Sequence, residues 1–130
     1  NPGTVEQNTS AVIGAIRNPY VKIITHPGDG TAELNYEPIV LAAKEHHTLL
    51  EINNSSLEPY RDKVAAPDNF REILQLCKKY EQPVILGSDA HISFAIANYE
   101  LIYPLITETE FPEELILNDK LEVFKAYIAQ

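Results

Sequence analysis

A chain of 130 residues and 14.6 kDa is one domain or part of one. Surface scaling gives roughly 6,900 Å² folded against about 21,000 Å² extended, enough burial for a proper core. With 45% hydrophobic and 22% charged residues the composition excludes disordered, collagen-like and coiled-coil chains. Ten Lys and Arg against nineteen Asp and Glu leave a formal charge of -9, so the surface repels phosphate backbones and duplex nucleic acid is not an expected partner.

The single cysteine, Cys77, forms no intrachain disulfide, and no secretory leader pattern is present. A reducing, cytoplasmic setting is expected. No apolar stretch approaches the roughly eighteen residues that cross a bilayer, so no membrane partner is expected either. The chain holds no Met and opens Asn1-Pro2-Gly3, so a portion excised from something longer is expected.

In chain order, Val5, Val12, Ile13 and Ile16 recur at helical spacing ahead of a first strand at Val21 to Thr25. Ile39, Val40 and Ala43 predict a helix before a second strand at Thr48 to Ile52. His46 and His47 fall at that helix's end, where partial positive charge suits the macrodipole. An irregular stretch from Asn54 to Pro67 comes next, longer than most connections and so a candidate functional loop. Asp68 is the predicted cap of a helix carrying Phe70, Ile73, Leu74 and Cys77, with Cys77 in the core stripe. A third strand spans Val84 to Gly87. Helical segments are then expected around Phe94 to Ile106 and Leu121 to Ile128, the last capped by Asn118 or Asp119. Helices alternating with near-continuous apolar strands predict an α/β fold of parallel βα units, open sheet or barrel.

The segments immediately after the strands distinguish the chain. The first strand runs into Thr25-His26-Pro27-Gly28-Asp29-Gly30, the second into Asn53-Asn54-Ser55-Ser56, and the third into Ser88-Asp89-Ala90-His91. Polar and metal-competent groups thus gather at the carboxyl ends of parallel strands, where β/α folds build their sites. In an extended segment Asp89 and His91 share a face with Cα atoms about 6.5 Å apart. Their mixed oxygen and nitrogen donors suit Zn, Mn or Fe. Pro27 biases His26 toward an extended conformation, so His26 is expected to leave its strand toward the same mouth. Arg61 is a candidate bidentate phosphate clamp. Glu51, inside the second strand, is costly to bury unless it ligates, pairs or is hydrogen-bonded. The competing structural reading has these residues satisfying turns and caps.

Taken together, Ile24-Thr25-His26-Pro27-Gly28, Leu50-Glu51-Ile52-Asn53-Asn54-Ser55-Ser56 and Leu86-Gly87-Ser88-Asp89-Ala90-His91 resemble the later strands of PHP-domain (polymerase and histidinol phosphatase) metallohydrolases, nearest the small bacterial phosphoesterases of that superfamily. The likeness continues through Asp68-Asn69-Phe70-Arg71-Glu72 to Ile116-Leu117-Asn118. It implies that residues 1–130 are a partial PHP domain: the C-terminal part of a distorted seven-stranded, TIM-like β/α barrel, with about three parallel strands and intervening helices. By the same resemblance His26, Asp89 and His91 are metal ligands and the catalytic residues. Asn53, Asn54 and Arg61 are then candidates for holding substrate. Up to three divalent ions, zinc foremost with Mn or Fe as alternatives, would sit at the mouth of the intact barrel.

The implied function is metal-dependent hydrolysis of small phosphate esters by a metal-activated hydroxide. The family's N-terminal His-x-His pair and bridging Glu are not found before Val21, so this chain carries part of the site and is expected to be inactive alone. A half-barrel exposes two sheet edges and one inner face, which invites self-association or pairing with the N-terminal half of the barrel. Two rivals remain: a non-catalytic α/β module acting by association, and an amide hydrolase on a related barrel.

Overall fold

Helix α1, Val5–Arg17, begins at a capping box. Thr4 accepts the Gln7 amide on its hydroxyl, and the Gln7 side chain accepts the Thr4 amide in return, at 3.1 and 3.0 Å. The computed structural model describes residues 3–25, 27–57, 65–88 and 99–130. Among these the order continues with β1 (Ile23–Ile24), α2 (Tyr36–His46), β2 (Leu49–Asn53), α3 (Ala66–Tyr80), β3 (Val84–Gly87), α4 (Tyr103–Thr109) and α5 (Leu121–Ile128). None of these helices is long and apolar enough to cross a membrane.

The three strands form one parallel sheet in the order β1-β2-β3, with Ile24 opposite Leu50, Leu50 opposite Val84, and Asn53 opposite Gly87. Because side chains alternate, one face carries Leu50, Ile52, Val84 and Leu86. These four join Ile16 of α1, Val40 and Ala43 of α2, Phe70 and Cys77 of α3, and Leu105 of α4 in a single buried core. All four helices therefore clothe the same face. The opposite face contributes nothing to that core. There Ile23 is 37% exposed, Glu51, Ile85 and Gly87 are half-buried, and only Leu49 and Asn53 are buried.

Helix ends depart from the sequence-based expectation in two places. Asp68 does not cap α3. Pro67 suits a first turn because its missing N–H falls among amides that lack partners anyway, so the helix starts at Ala66 with Ala65 as cap. Asp68 lies inside that turn and accepts from Arg71 at 2.7 Å. Nor do Asn118 or Asp119 cap α5, whose cap position is Lys120 with no side-chain bond. Asn118 is spent elsewhere. Its Oδ1 accepts the Leu86 amide at 2.8 Å and its Nδ2 donates to the Leu86 carbonyl at 2.9 Å, the two bonds a neighbouring strand would make. Together with a parallel bridge between Val84 and Ile116, this closes the outer edge of β3. Of the two open edges expected, only that of β1 lacks a partner among the described residues. Of the helix expected around Phe94 to Ile106, residues 94–98 lie outside the described residues, 99–102 are not helical and end in a turn, and α4 runs from Tyr103 to Thr109.

At the amino ends of the strands sits a fully buried glutamine. Gln82 donates to the carbonyls of Thr48 at 2.7 Å and Pro83 at 3.0 Å, while its Oε1 accepts the Tyr127 hydroxyl at 2.9 Å. One side chain thereby ties β2, β3 and α5 together, and α5 has no buried residue of its own. Replacing Gln82 with Leu strands the Tyr127 hydroxyl and two carbonyls. The expected loss is about 1–3 kcal/mol in urea unfolding, with α5 the first element to lose amide-exchange protection.

Candidate active site

The carboxyl ends of the strands are held in place by backbone-directed polar side chains. After β1, Pro27, Gly28 and Asp29 are buried. A Cβ on Gly28 would stand 2.6 Å from Phe70 Cδ1 and 2.7 Å from Ile73 Cδ1, so only glycine lets the loop lie flat on α3. The Gly28 carbonyl accepts Asn69 Nδ2 at 3.1 Å, and Asp29 Oδ1 accepts the Thr31 amide at 2.9 Å. Gly30, at φ +89°, completes the sharp turn that the sequence predicts.

Both asparagines predicted to contact substrate are described, and both are buried. Asn53 accepts the Ser55 amide on Oδ1 at 2.8 Å and donates from Nδ2 to Glu51 at 3.3 Å. Asn54 Oδ1 accepts two amides, those of Leu101 at 2.8 Å and Ile102 at 3.1 Å. These bonds shape the end of β2, turn the chain into the 3-10 segment Asn54–Leu57, and anchor the approach to α4. They leave Asn54 Oδ1 little capacity for a further donor. His26, Arg61, Asp89 and His91 lie outside the described residues.

Among the described residues no group of three or more His, Cys, Asp or Glu side chains is close enough to share a metal ion. On the uncovered face the carboxylate of Glu51 is seated against Gly87 at the end of β3. The imidazole and carboxylate groups expected of His26, Asp89 and His91 are of the types that a borderline divalent metal accepts.

Beside the mouth, Gly30, Ala32, Tyr36, Ala65, Asn69 and Glu72 line a cleft of about 400 Å³. Burial, assisted by the charges of Glu72 and Asp29, pushes the Tyr36 phenol up to about 12. His46 and His47 lie at the other pole, where His47 in the left-handed conformation (φ 55°) ends α2 and meets Tyr127 edge-on at 5.3 Å. Cys77 is buried and unpaired, as its place in the stripe implies, and burial raises its thiol well above the usual range.

Reasoning from sequence misses the structural work of Asn118 and Gln82. The available signal is a lone amide at the border of a short apolar run: Asn118 directly after Ile116-Leu117, and Gln82 before Pro83-Val84.

No family model matches the chain. A protein of Clostridium novyi named a probable phosphatase is 42% identical over 127 residues, covering 98% of this chain and 51% of that protein. A probable phosphatase of Caldicellulosiruptor bescii is 48% identical over 126 residues, covering 97% and 51% respectively. A probable phosphatase of Clostridium acetobutylicum is 42% identical over 117 residues, covering 90% and 47%. The chain thus spans about half the length of the curated relatives it matches.

This geometry generates two expectations. Gly28→Ala drives a methyl group into Phe70 and Ile73 and is expected to cost about 1–3 kcal/mol in denaturant unfolding. Tyr36 and Tyr127 both titrate near 12 instead of the ordinary 10. Between these values the unfolded chain has released protons that the folded one still holds, so stability falls as pH rises through that window. Absorbance at 295 nm against pH, with Tyr36→Phe removing one late-titrating group, checks this.

Proposed function

We propose that this chain is the C-terminal part of a PHP-type, metal-dependent phosphoesterase, acting on small phosphorylated substrates in the cytoplasm. The observation that carries the reaction class is the name of its relatives, probable phosphatase, at 42–48% identity across almost the whole chain. The observation that supports the barrel is the winding of the sheet. Strand order follows chain order and every core helix lies on one face. An open doubly wound sheet would put helices on both faces, whereas an arc of a β/α barrel leaves its inner face bare. Parallel sheets are covered on both faces in stable proteins. Here the half of its relatives' length that this chain does not span is the proposed cover.

In this reading His26, Asp89 and His91 hold divalent ions, zinc foremost, which when bound supply Lewis-acid charge and lower the pKa of water. The remaining roles belong to the chain's own side chains. Asn53 and Asn54 fix the end of β2 through their internal bonds, so they shape the floor. Gly28 lets the loop after β1 lie on α3, and Asp29 Oδ1 holds its turn by accepting the Thr31 amide. Arg61 pairs with the substrate phosphate through a bidentate guanidinium contact.

The test is complementation. The chain is co-expressed with the polypeptide half that its relatives carry beyond the matched region, and both the complex and the lone chain are analysed for metal and for hydrolysis of p-nitrophenyl phosphate. Metal retention and turnover in the complex alone are expected, with Asp89→Ala lowering turnover by roughly 100-fold or more. Metal-free complex, unchanged Asp89→Ala turnover, or cleavage of an amide panel in place of phosphate esters overturns the proposal.

A further inference from the structure

Three separate elements wall the cleft beside the mouth: the loop after β1 through Gly30, Ala32 and Glu33, the first residue of α2, Tyr36, and α3 through Asn69 and Glu72. Tyr36 is 4% exposed. Among the described residues its hydroxyl makes no hydrogen bond, and a polar group so nearly enclosed without a partner is an exception in a folded protein. Asn69 commits Nδ2 to the Gly28 carbonyl at 3.1 Å, which leaves Oδ1, an acceptor, for the cleft. Glu33 and Glu72 are exposed, and neither is ion-paired among the described residues. No Lys, Arg or His lines the space, which therefore offers acceptors and negative charge. Burial first, and then the charges of Glu72 and Asp29, push the Tyr36 phenol up to about 12, so the phenol stays neutral within the field of those carboxylates.

We propose that this cleft is a binding site for a short aliphatic diamine. One ammonium group donates to the Tyr36 oxygen and Asn69 Oδ1, the carboxylates of Glu33 and Glu72 balance the two positive charges, and the methylene chain lies along Val5, Ala32, Leu34 and Ala65. Other ligand classes fit less well. A phosphate or carboxylate would meet like charge with no cation to receive it. A bare divalent ion would find two carboxylates, and among the described residues no three ligating side chains converge. An ammonium group carries three N–H donors, the complement of a lining built of acceptors. The space of about 400 Å³ suits a small ligand, and it adjoins a second hollow of about 410 Å³ that shares Val5, Gly30, Ala32 and Glu33. A chain of several methylenes has room to extend past Glu33. The site makes no use of the chemistry at the strand ends, so it stands or falls apart from the phosphoesterase reading.

The experiment titrates the whole chain by calorimetry with diaminobutane, with butanediol, and with N-acetyl-lysine methylamide, which presents one ammonium group as a protein side chain would. Melting temperatures are followed in parallel. Saturable binding of diaminobutane that weakens as NaCl rises is expected, with no binding of butanediol. Tyr36→Phe keeps the ring in place and should weaken diaminobutane about tenfold, the loss of one hydrogen bond to a charged group. The double variant Glu33→Gln with Glu72→Gln changes only exposed positions and leaves the fold intact. It should also bind about tenfold more weakly, since each exposed ion pair is worth only about threefold. Glu122→Gln, on α5 at the opposite pole, removes the same kind of charge and should leave the affinity unchanged. No saturable binding by the folded wild type overturns the inference. So do wild-type affinity in both cleft variants, a loss in Glu122→Gln equal to theirs, and tighter binding of the lysine amide than of diaminobutane.

Discussion

Parallel strands cannot be joined by a tight turn; each connection must cross over the sheet, and whichever face the crossovers take is the face that becomes covered. In this chain every crossover that reaches the core falls on the side of Leu50, Ile52, Val84 and Leu86. The architecture derives from that restriction. One face is a dense apolar contact with four helices; the other holds Ile23, Glu51, Ile85 and Gly87, half-buried or exposed. Polar residues are expensive on the first face and tolerable on the second, where Glu51 and Asn53 stand.

Side-chain amides do the work that further strands would do elsewhere. Asn118 satisfies both backbone groups of Leu86, Asn54 receives the amides of Leu101 and Ile102, and Gln82 bridges two strands and the last helix. Each is a neutral group with both donor and acceptor atoms, so it meets a backbone edge without bringing a charge into the interior. Only a few such residues are needed because the sheet is small. Each accordingly carries more of the structure than a comparable residue in a broad sheet.

The strands and helices are legible in the sequence because their apolar spacing is strong: α5 and β3 match the residues that the pattern predicts, and the stripe of Phe70, Ile73, Leu74 and Cys77 faces the core as its period requires. Helix starts are less legible. Pro67 and Asp68 both favour a first turn, and sequence alone does not decide which residue stands outside it. By type and position Asn53, at the end of β2, and Asn54, just after it, read as polar groups for a ligand, and the sequence does not show that they also bond to Glu51, Ser55, Leu101 and Ile102. Contacts to residues nearly fifty positions away have no local signature. The alternation in β2 places Glu51 on a face but does not say which way that face looks. Only the side taken by the helices settles it.

The closure of β3 by Asn118 makes the sheet one-ended. Among the described residues further pairing has a single point of entry, the outer edge of β1. A sheet open at both sides can polymerise, each copy offering the next a fresh template. Here, among the described residues, two copies meeting at β1 would leave no second strand edge for a third to pair with.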